Sequence, residues 1–280
     1  MAVDLTKYDI NFRAPALPYA PAEYNQEAFE QFNNVLRLYF NQLDKAVRDA
    51  MATNENYYFE IAQGNIAGYA AQNVFGFNAA IGTSYETVWD NGGAYTFLSS
   101  AQQLSVVSSS ASDTMNLLIT GLDSSYDVIS ETITLTGTSA VTTTNSYLRV
   151  NSAVITSGSN VGNITATYSS TTVFYITAGV GTTQMCVFTV PNNKTLYLVR
   201  IDLTSGTANG NQYITYRNRL DTSAGRVLRV AEATFINNQQ SFDRQVPFKI
   251  TEKTDFQFEA KSSASTNELS VFVEGILVDD

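Results

Sequence analysis

The sequence predicts a mainly β protein, in which an N-terminal extended arm and a coiled-coil-like α-helix precede two β modules of the β-sandwich or jelly-roll kind. Three observations predict this arrangement. Three of the five prolines lie within residues 15–21, apolar residues then recur at spacings of three and four, and from Glu86 onward β-branched residues recur with a period of two. Charge divides the chain further, because the block between Arg48 and Arg149 holds nine acids and no Lys or Arg. The predicted units are residues 1–55, 56–170 and 171–280.

The arm is predicted to be extended and to dock on another surface. Proline fixes its own φ and disfavours the helical region for the residue before it, so this segment cannot be helical. An isolated extended chain cannot bury its own apolar side chains, and those of the arm therefore need a partner surface. The predicted docking residues are Phe12, Pro15, Leu17, Pro18, Tyr19 and Pro21.

A helix is predicted from Glu23 to about Ala52, with an apolar seam at the a and d positions of a heptad. Bulky apolar neighbours widen the seam, which favours more than two packed helices, and a homotrimer is the leading interpretation. The alternative is an amphipathic helix that lies on the sheet of its own domain. The residues predicted to oligomerise or anchor the chain are Phe29, Phe32, Leu36, Tyr39, Leu43 and Val47.

The rest of the chain is predicted to be a connection followed by strands. Residues 53–84 show neither period and are predicted to be irregular but packed on a neighbour. Six period-two runs then occur before residue 170. Eight more occur after residue 172, which is the number of strands in a jelly roll. Pro247 interrupts one of these runs, so we expect it at a sheet edge or a bulge.

Composition excludes several classes of function. The chain has 16 Lys and Arg against 26 Asp and Glu, and this net charge of −10 has the wrong sign for a nucleic-acid binder. It has no His, which removes the usual general base and a common metal ligand. No apolar run is long enough to span a membrane, and the first residues lack the pattern of a signal peptide. We expect a chain that is made in a cytosol and not exported, with no cofactor, no nucleic-acid partner, no membrane partner and no catalytic residues.

Four acidic residues are candidates for a metal site or a catalytic site. Asp123 and Asp127 either ligate a cation such as Ca²⁺ or cap their own turn, and the turn role is favoured. Asp113 and Glu131 offer the two carboxylates that a glycosidase needs. Any acidic β protein contains such pairs, so a structural role is favoured for both.

Three other features can each be interpreted as structural or as functional. Cys186 stands among apolar residues and is predicted to be a buried, inert thiol. Trp89, the single tryptophan, is predicted to anchor the start of the first β module by packing, and stacking on a sugar is the alternative. Two i,i+2 pairs of arginines each lie on one face of a predicted strand, where a basic patch for an acidic partner and pairing with local acids remain equally open. The four arginines are Arg217, Arg219, Arg226 and Arg229.

Several segments resemble recurrent blocks of a group of tailed-bacteriophage virion proteins that is common in marine and cyanobacterial phages. They are NVFGFNAAIGTSYETVWDNGGAYTFLSSAQQLSVVSSSASDT, GLDSSYDVISETITLTGTSAVTTTNSYLRV, AGVGTTQMCVFTVPNNKTLYLVR and the terminal GILVDD. The segment APALPYAPAEYNQEAFEQFNNVLRLYFNQLDKA is similar to a leader found on several phage structural proteins. The most specific element is the motif from Trp89 to Gly93, and one departure is Asn192-Asn193 after Pro191, where the group has Ala-Gly. The resemblance covers nearly the whole chain and implies a trimeric virion component.

The expected function is therefore that of a non-enzymatic, surface-exposed virion protein made in the host bacterial cytoplasm. The predicted order of parts is a docking arm, a short helix and then β modules. This is the order in a tail-associated fibre or spike anchored by its N-terminus. Its partners would be other copies of itself and a tail adaptor or nozzle protein. The nearest alternative is a capsid decoration protein whose arm lies across major capsid proteins. A third hypothesis is a module that binds a host surface glycan through Trp89 and exposed tyrosines.

Overall fold

The protein is mainly β, with one N-terminal helix and several small antiparallel sheets, as its computed structural model shows. The structure describes residues 25–206, 213–222, 224–236, 239–263 and 267–280, without the side chains of residues 46–56, 230, 231, 235 and 236. The chain divides into two compact units, Met1–Ala67 and Gly68–Asp280. The predicted arm lies outside the described residues.

The helix α1 spans Gln26–Ala62 and is 37 residues long. It begins where the side chain of Asn25 accepts hydrogen bonds from the backbone N–H groups of Glu27 and Ala28, which have no partner inside the helix. It ends just before Gly64, whose φ is +76°. The predictions of a helix end near Ala52 and of irregular structure after it were wrong. No Gly or Pro occurs between residues 26 and 62, so nothing in the sequence stops the helix earlier.

Sixteen strands follow among the described residues, and every pair between these strands is antiparallel. They are β1 Tyr69–Ile81, β2 Glu86–Thr87, β3 Ser105–Ser108, β4 Asn116–Leu122, β5 Val128–Thr134, β6 Val141–Thr142, β7 Arg149–Ile155, β8 Ile164–Tyr168, β9 Thr171–Ile176, β10 Val187–Thr189, β11 Lys194–Ser205, β12 Tyr213–Asp221, β13 Val227–Ile236, β14 Gln239–Ile250, β15 Asp255–Ser262 and β16 Asn267–Asp279.

Two sheets form what we call the carrier domain, which consists of residues 68–88 and 186–280. One sheet has the order β1-β16-β11-β14 and the other β10-β15-β12-β13, with β2 also beside β15. Period-two alternation places the apolar residues of each strand on one face, and side chains from both sheets meet in one core. The most buried members include Ile81, Leu203, Ile214, Phe256, Phe258, Leu269 and Val271.

The edge of β15 is covered by two segments that are far apart in the chain. The Val88 N–H donates to the Phe258 carbonyl at 2.9 Å, and the Phe258 N–H donates to the Cys186 carbonyl at 3.0 Å. The Cys186 N–H in turn donates to the Val88 carbonyl at 2.9 Å. The chain therefore leaves the carrier domain after Val88 and returns at Cys186, and we call this crossing point the neck.

Residues 89–185 form the inserted module, which also has two sheets. Their strand orders are β6-β3-β8-β9 and β5-β4-β7, and both sheets contribute to a second core. Its most buried side chains include Leu104, Leu117, Ile119, Tyr147, Ile164, Phe174 and Ile176.

The predicted division at residue 170 does not follow the strand pairing. It falls inside the β8–β9 hairpin, while β1, from the region predicted to be irregular, pairs along its length with the C-terminal β16. Strand alternation fixes which residues face a core, but it does not say which distant strands pair, so two nested units look like two consecutive ones. The predicted boundary at residue 55 likewise falls inside α1.

β1 passes directly over the neck. A Cβ atom added to Gly76 would lie 2.5 Å from both the Cys186 nitrogen and the Val88 carbonyl oxygen, so only glycine fits there. Next to it, the Phe77 N–H donates to the Gln184 carbonyl at 3.3 Å.

A buried ion pair links the inserted module to the carrier domain. Arg149 of β7 contacts both carboxylate oxygens of Asp255 in β15, at 2.7 and 2.8 Å, and about nine-tenths of each side chain is buried. The guanidinium also donates to the carbonyls of Leu98 and Leu148, and the Thr189 hydroxyl donates to Asp255. Burial lowers the pKa of Arg149, but the hydrogen bonds to Asp255 and the negative charge of that carboxylate, with smaller contributions from Tyr126 and Tyr95, together outweigh this and raise the pKa above its ordinary value.

We predict that Arg149→Met destabilises the protein by about 3–5 kcal/mol, because it leaves the Asp255 carboxylate buried and unpaired. Urea unfolding followed by the fluorescence of Trp89, which lies beside the neck, measures the loss. The matched control is Lys194→Met, since Lys194 pairs with Asp279 at the surface and exposed pairs contribute about 0–1 kcal/mol. Equal losses for the two variants would contradict this assignment.

Candidate assembly surfaces

The helix α1 carries an apolar stripe whose side chains range from half-buried to exposed. At 3.6 residues per turn, the predicted seam residues lie along one side of the helix. Phe29 is 56 % exposed and Leu43 is 37 % exposed. Phe32, Leu36 and Tyr39 are half-buried. We call these five residues the α1 stripe.

Other apolar side chains of α1 are exposed as well. Phe40, on the flank of the α1 stripe, is 59 % exposed, and its ring packs edge-on against that of Tyr39 with centroids 5.8 Å apart. Near the C-terminal end Tyr58 and Phe59 are each 60 % exposed. Sequence reasoning missed these last two as helical residues. The absence of Gly and Pro up to residue 63 is the signal that could have found them.

The remaining predicted contact residues lie where the structure says nothing of them. The side chain of Val47 and the six docking residues of the arm, Phe12, Pro15, Leu17, Pro18, Tyr19 and Pro21, are outside the described parts of the chain. Within the described residues α1 is the only helix, so the predicted coiled coil remains a prediction.

An exposed stripe of this kind needs an explanation. Isolated helices are marginally stable in water, and most helices are stabilised by packing of an apolar face. Contiguous exposed apolar surface on a soluble protein is typical of a surface that contacts another macromolecule. The geometry of α1 is therefore suited to association with other polypeptides.

The carboxylates weighed as catalytic residues are occupied by structural hydrogen bonds. Asp113 is fully buried and accepts from the Ser108 hydroxyl and from the N–H groups of Val161 and Gly162, at 2.5, 2.7 and 2.9 Å. Burial raises the pKa of Asp113, but these three hydrogen bonds outweigh it and hold the pKa below its usual value. Asp113 therefore ties the loop before β4 to the loop before β8.

Glu131 fixes a different loop and does not join Asp113 in a site. Its two oxygens accept from the N–H groups of Thr144 and Asn145, at 2.9 and 3.2 Å. Asp123 accepts from the N–H groups of Ser125 and Asp127, which is the turn role that the sequence favours. No group of three or more metal-binding side chains occurs among the described residues.

Trp89 packs at the base of the inserted module, as the sequence predicts. It is 3 % exposed, its indole N–H donates to the Gly93 carbonyl at 3.0 Å, and its ring meets the edge of Tyr95 with centroids 5.0 Å apart. A buried indole cannot stack on a sugar, so the glycan hypothesis loses its main residue. Cys186 is buried at the neck, and burial raises the pKa of its thiol.

Nearby acidic residues form ion pairs with Arg217 and Arg219, the first of the two sets of arginines singled out in the sequence. Arg217 contacts Glu259 and lies 3.7 Å from the centre of the Tyr85 ring. Arg219 pairs with Asp221 at 2.9 Å and with Glu259 at 3.4 Å. Cross-strand pairing therefore accounts for these two arginines, whereas Arg226 and Arg229 are exposed.

No family model matches the chain, and no curated protein matches it. Among solved structures, the VP2 subviral particle of infectious bursal disease virus is 12 % identical over 76 % of this chain and 77 % of that chain, with a TM-score of 0.20. The PBSX exported protein XepA is 8 % identical over 74 % of this chain and 84 % of that chain, with a TM-score of 0.18. A structure of the Gx strain of infectious bursal disease virus is 12 % identical over 75 % of this chain and 77 % of that chain, with a TM-score of 0.19. Similarities at such TM-scores carry no argument about this chain. Among the described residues no helix has the length and apolar character needed to cross a membrane.

We predict that Asp113→Asn destabilises the protein by about 1–3 kcal/mol at neutral pH, because an amide group cannot accept all three hydrogen bonds. A carboxyl whose pKa is lowered by folding contributes stability above its unfolded pKa, about 3.9. That contribution is lost as pH falls through the lower folded pKa. The difference between wild type and variant should therefore shrink as pH falls below about 4, which urea unfolding at a series of pH values measures. Asp127→Asn is the exposed control, and a loss for Asp113→Asn that does not change with pH would contradict this role.

Proposed function

We propose that this chain is a non-enzymatic structural component of a virion, exposed on the particle surface and assembled as a homotrimer through α1. The observation that carries the proposal is the apolar α1 stripe, which is exposed at Phe29 and Leu43. The β unit, in contrast, holds the acids considered for catalysis in structural hydrogen bonds. The resemblance of the sequence to phage virion proteins supports the same function.

The strand order of the carrier domain supports a jelly-roll interpretation. Taking β2 and β10 as two parts of one strand gives eight strands in chain order. In this numbering the first strand, β1, lies beside the eighth, β16. The third strand, β11, lies between β16 and the sixth strand, β14. In the second sheet the seventh strand, β15, lies between the second strand, which ends in β10, and the fourth strand, β12. Jelly rolls are typical of viral capsid and lectin domains. On this interpretation the inserted module lies within the second strand of the jelly roll.

Self-association explains the width of the α1 stripe. In a two-stranded coil the buried seam is narrow, whereas bulky residues on its flanks, such as Phe40, favour a higher number of helices. Burial of Leu36 and Leu43 alone would contribute roughly 3–6 kcal/mol per chain, which is large compared with typical domain stability. Three copies of one helix bury the same stripe by cyclic symmetry.

The order of parts favours a tail-associated fibre or spike. The arm and α1 precede the described strands in the chain, which is the order expected of a protein anchored by its N-terminal segment. Its anchoring partner would be a tail adaptor or nozzle protein. A capsid decoration protein, with its arm across major capsid proteins, has the same order of parts and is the alternative.

We predict that Leu36→Asp combined with Leu43→Asp converts the trimer into a monomer, because charges cannot be buried at the seam without partners. Light scattering measures the mass, and the β circular dichroism should be preserved. Leu38→Asp is the matched control, because Leu38 is 58 % exposed on the opposite side of α1. A mass that does not change in the double variant would show that α1 does not hold the assembly together.

The position of this chain in the virion is tested by a reconstruction of the particle and by the number of copies of the chain per particle. A fibre or spike is expected at the tail, in the few copies that tail symmetry allows. Copies distributed over the head would instead favour the decoration role. Density for this chain in neither place, or turnover of a polysaccharide by the purified protein, would overturn the proposal.

A further inference from the structure

A cleft of about 410 Å³ lies between the carrier domain and the inserted module. We call it the junction cleft. Residues 72–75 of β1 line it from the carrier domain, and residues 120–122 of β4 with residues 151–152 of β7 line it from the inserted module. Clefts of roughly 300–1,000 Å³ at the junction of two modules are typical of small-ligand sites. The size and position of the junction cleft therefore suit a small ligand.

The walls of the junction cleft are fixed by contacts within the protein. The buried Arg149–Asp255 pair joins the two modules. The side chain of Asn151, which lines the cleft, donates to the Thr189 carbonyl and accepts from the Thr189 N–H, both at 3.0 Å. A preformed site needs little ordering when a ligand binds, which favours affinity.

The junction cleft is uncharged. None of the described residues that line it is Asp, Glu, Lys or Arg. An anionic ligand would find no cation in the cleft and would be repelled by a chain of net charge −10. A cationic ligand would find no carboxylate there. The lining therefore favours a neutral ligand.

The uncharged surface continues from the cleft onto the outer face of the β5-β4-β7 sheet. Register places Thr120 between Ser130 of β5 and Ser152 of β7, so three hydroxyl side chains lie in a row across the sheet. The residues that alternation places on this face include Leu118, Thr120, Ser130, Thr132, Ser152 and Val154. A ligand longer than the cleft could therefore extend over further hydroxyl groups without meeting a charge.

Polar groups in the junction cleft are available to a ligand. Within the parts of the chain that the structure describes, the side chains of Asn73, Thr120 and Ser152 form no hydrogen bond. An amide and two hydroxyl groups can each donate and accept. Sugar hydroxyls do both as well, so they can pair with all three side chains without burial of a charge.

The junction cleft also offers an apolar contact. Phe75 is 39 % exposed and Val128 is 55 % exposed. The negative face of an aromatic ring attracts C–H groups, which one side of a sugar ring presents. Protein interfaces are usually enriched in several aromatic residues and Arg, whereas this surface exposes one ring and no Arg. The composition therefore fits a saccharide better than a protein partner.

We propose that the junction cleft binds a neutral oligosaccharide, with a sugar ring packed on Phe75 and its hydroxyls paired with Asn73, Thr120 and Ser152. No carboxylate lines the cleft among the described residues, so binding without hydrolysis is expected. The site differs from the glycan hypothesis drawn from the sequence, whose main residue, Trp89, is buried. The inference goes beyond the proposed structural function and does not depend on assembly through α1.

Binding of the full-length protein to immobilised oligosaccharides tests the proposal. The neutral probes are oligomers of glucose, galactose, mannose and rhamnose, and the anionic probes are oligomers of galacturonic acid and sialic acid. At least one neutral probe should bind, with an association constant at least tenfold above that of either anionic probe. Failure of every neutral probe to bind, or a preference for an anionic probe, would overturn the proposal.

Variants locate the bound sugar. Phe75→Ala, which removes the ring contact, and Ser152→Tyr, which fills the cleft, should each lower the association constant at least tenfold. Tyr168→Ala is the matched control, because Tyr168 is 40 % exposed and lies in β8, in the other sheet of the inserted module. Binding that survives both cleft variants, or that is lost with Tyr168→Ala instead, would show that the sugar binds elsewhere.

Hydrogen exchange of the wild-type protein gives a second measurement that needs no variant. Peptides covering residues 69–76 and 116–122 should exchange more slowly when the bound neutral probe is present. If their protection instead rises with protein concentration and does not respond to the probe, a second copy occupies the cleft and the proposal is wrong. Light scattering of the same samples reports the oligomeric state, so a failure of the proposed trimer and a failure of this site remain distinguishable.

Discussion

The architecture depends on one constraint, the sharing of the β15 edge by two chain segments that meet at Val88 and Cys186. This crossing makes the residues between them an insertion in the carrier domain and not a preceding domain. β1 can pass over it only because Gly76 has no side chain. The Arg149–Asp255 pair then joins the two parts at a second place, on the outer face of the same strand.

Polar side chains in the β unit mainly support this architecture. The polar residues of β15 that point away from the carrier core are buried and have partners. Asp255 forms an ion pair with Arg149, Gln257 accepts a hydrogen bond from the Thr87 hydroxyl, and Glu259 forms ion pairs with two arginines. The acids of the inserted module hold loops in the same way. The apolar side chains of α1 are arranged differently, because many of them face solvent. Exposed apolar side chains that follow one another along a helix are the physical basis for the proposal that α1 mediates assembly.

Local periodicity was enough to predict the mainly β class, the presence of an N-terminal helix and the side of α1 that carries the stripe. It could not predict the nesting of the two modules, because the pairing of β1 with β16 spans most of the chain and leaves no local signal. The end of α1 differs from the prediction because the aromatic and Asn residues after Ala52 do not stop a helix, and the first helix-breaking residue is Gly64. The role of Asp113 was also beyond the sequence, because its partners Val161 and Gly162 lie far along the chain. Trp89 could be assigned correctly from its glycine-rich neighbourhood, since packing was the favoured interpretation.

The central claim is that α1 brings copies of this chain together. Native mass spectrometry of the purified full-length protein tests it most directly. The account predicts a species of about 92 kDa, three times the chain mass of 30.6 kDa. A single species of 30.6 kDa at concentrations well above those of ordinary assembly equilibria would contradict it.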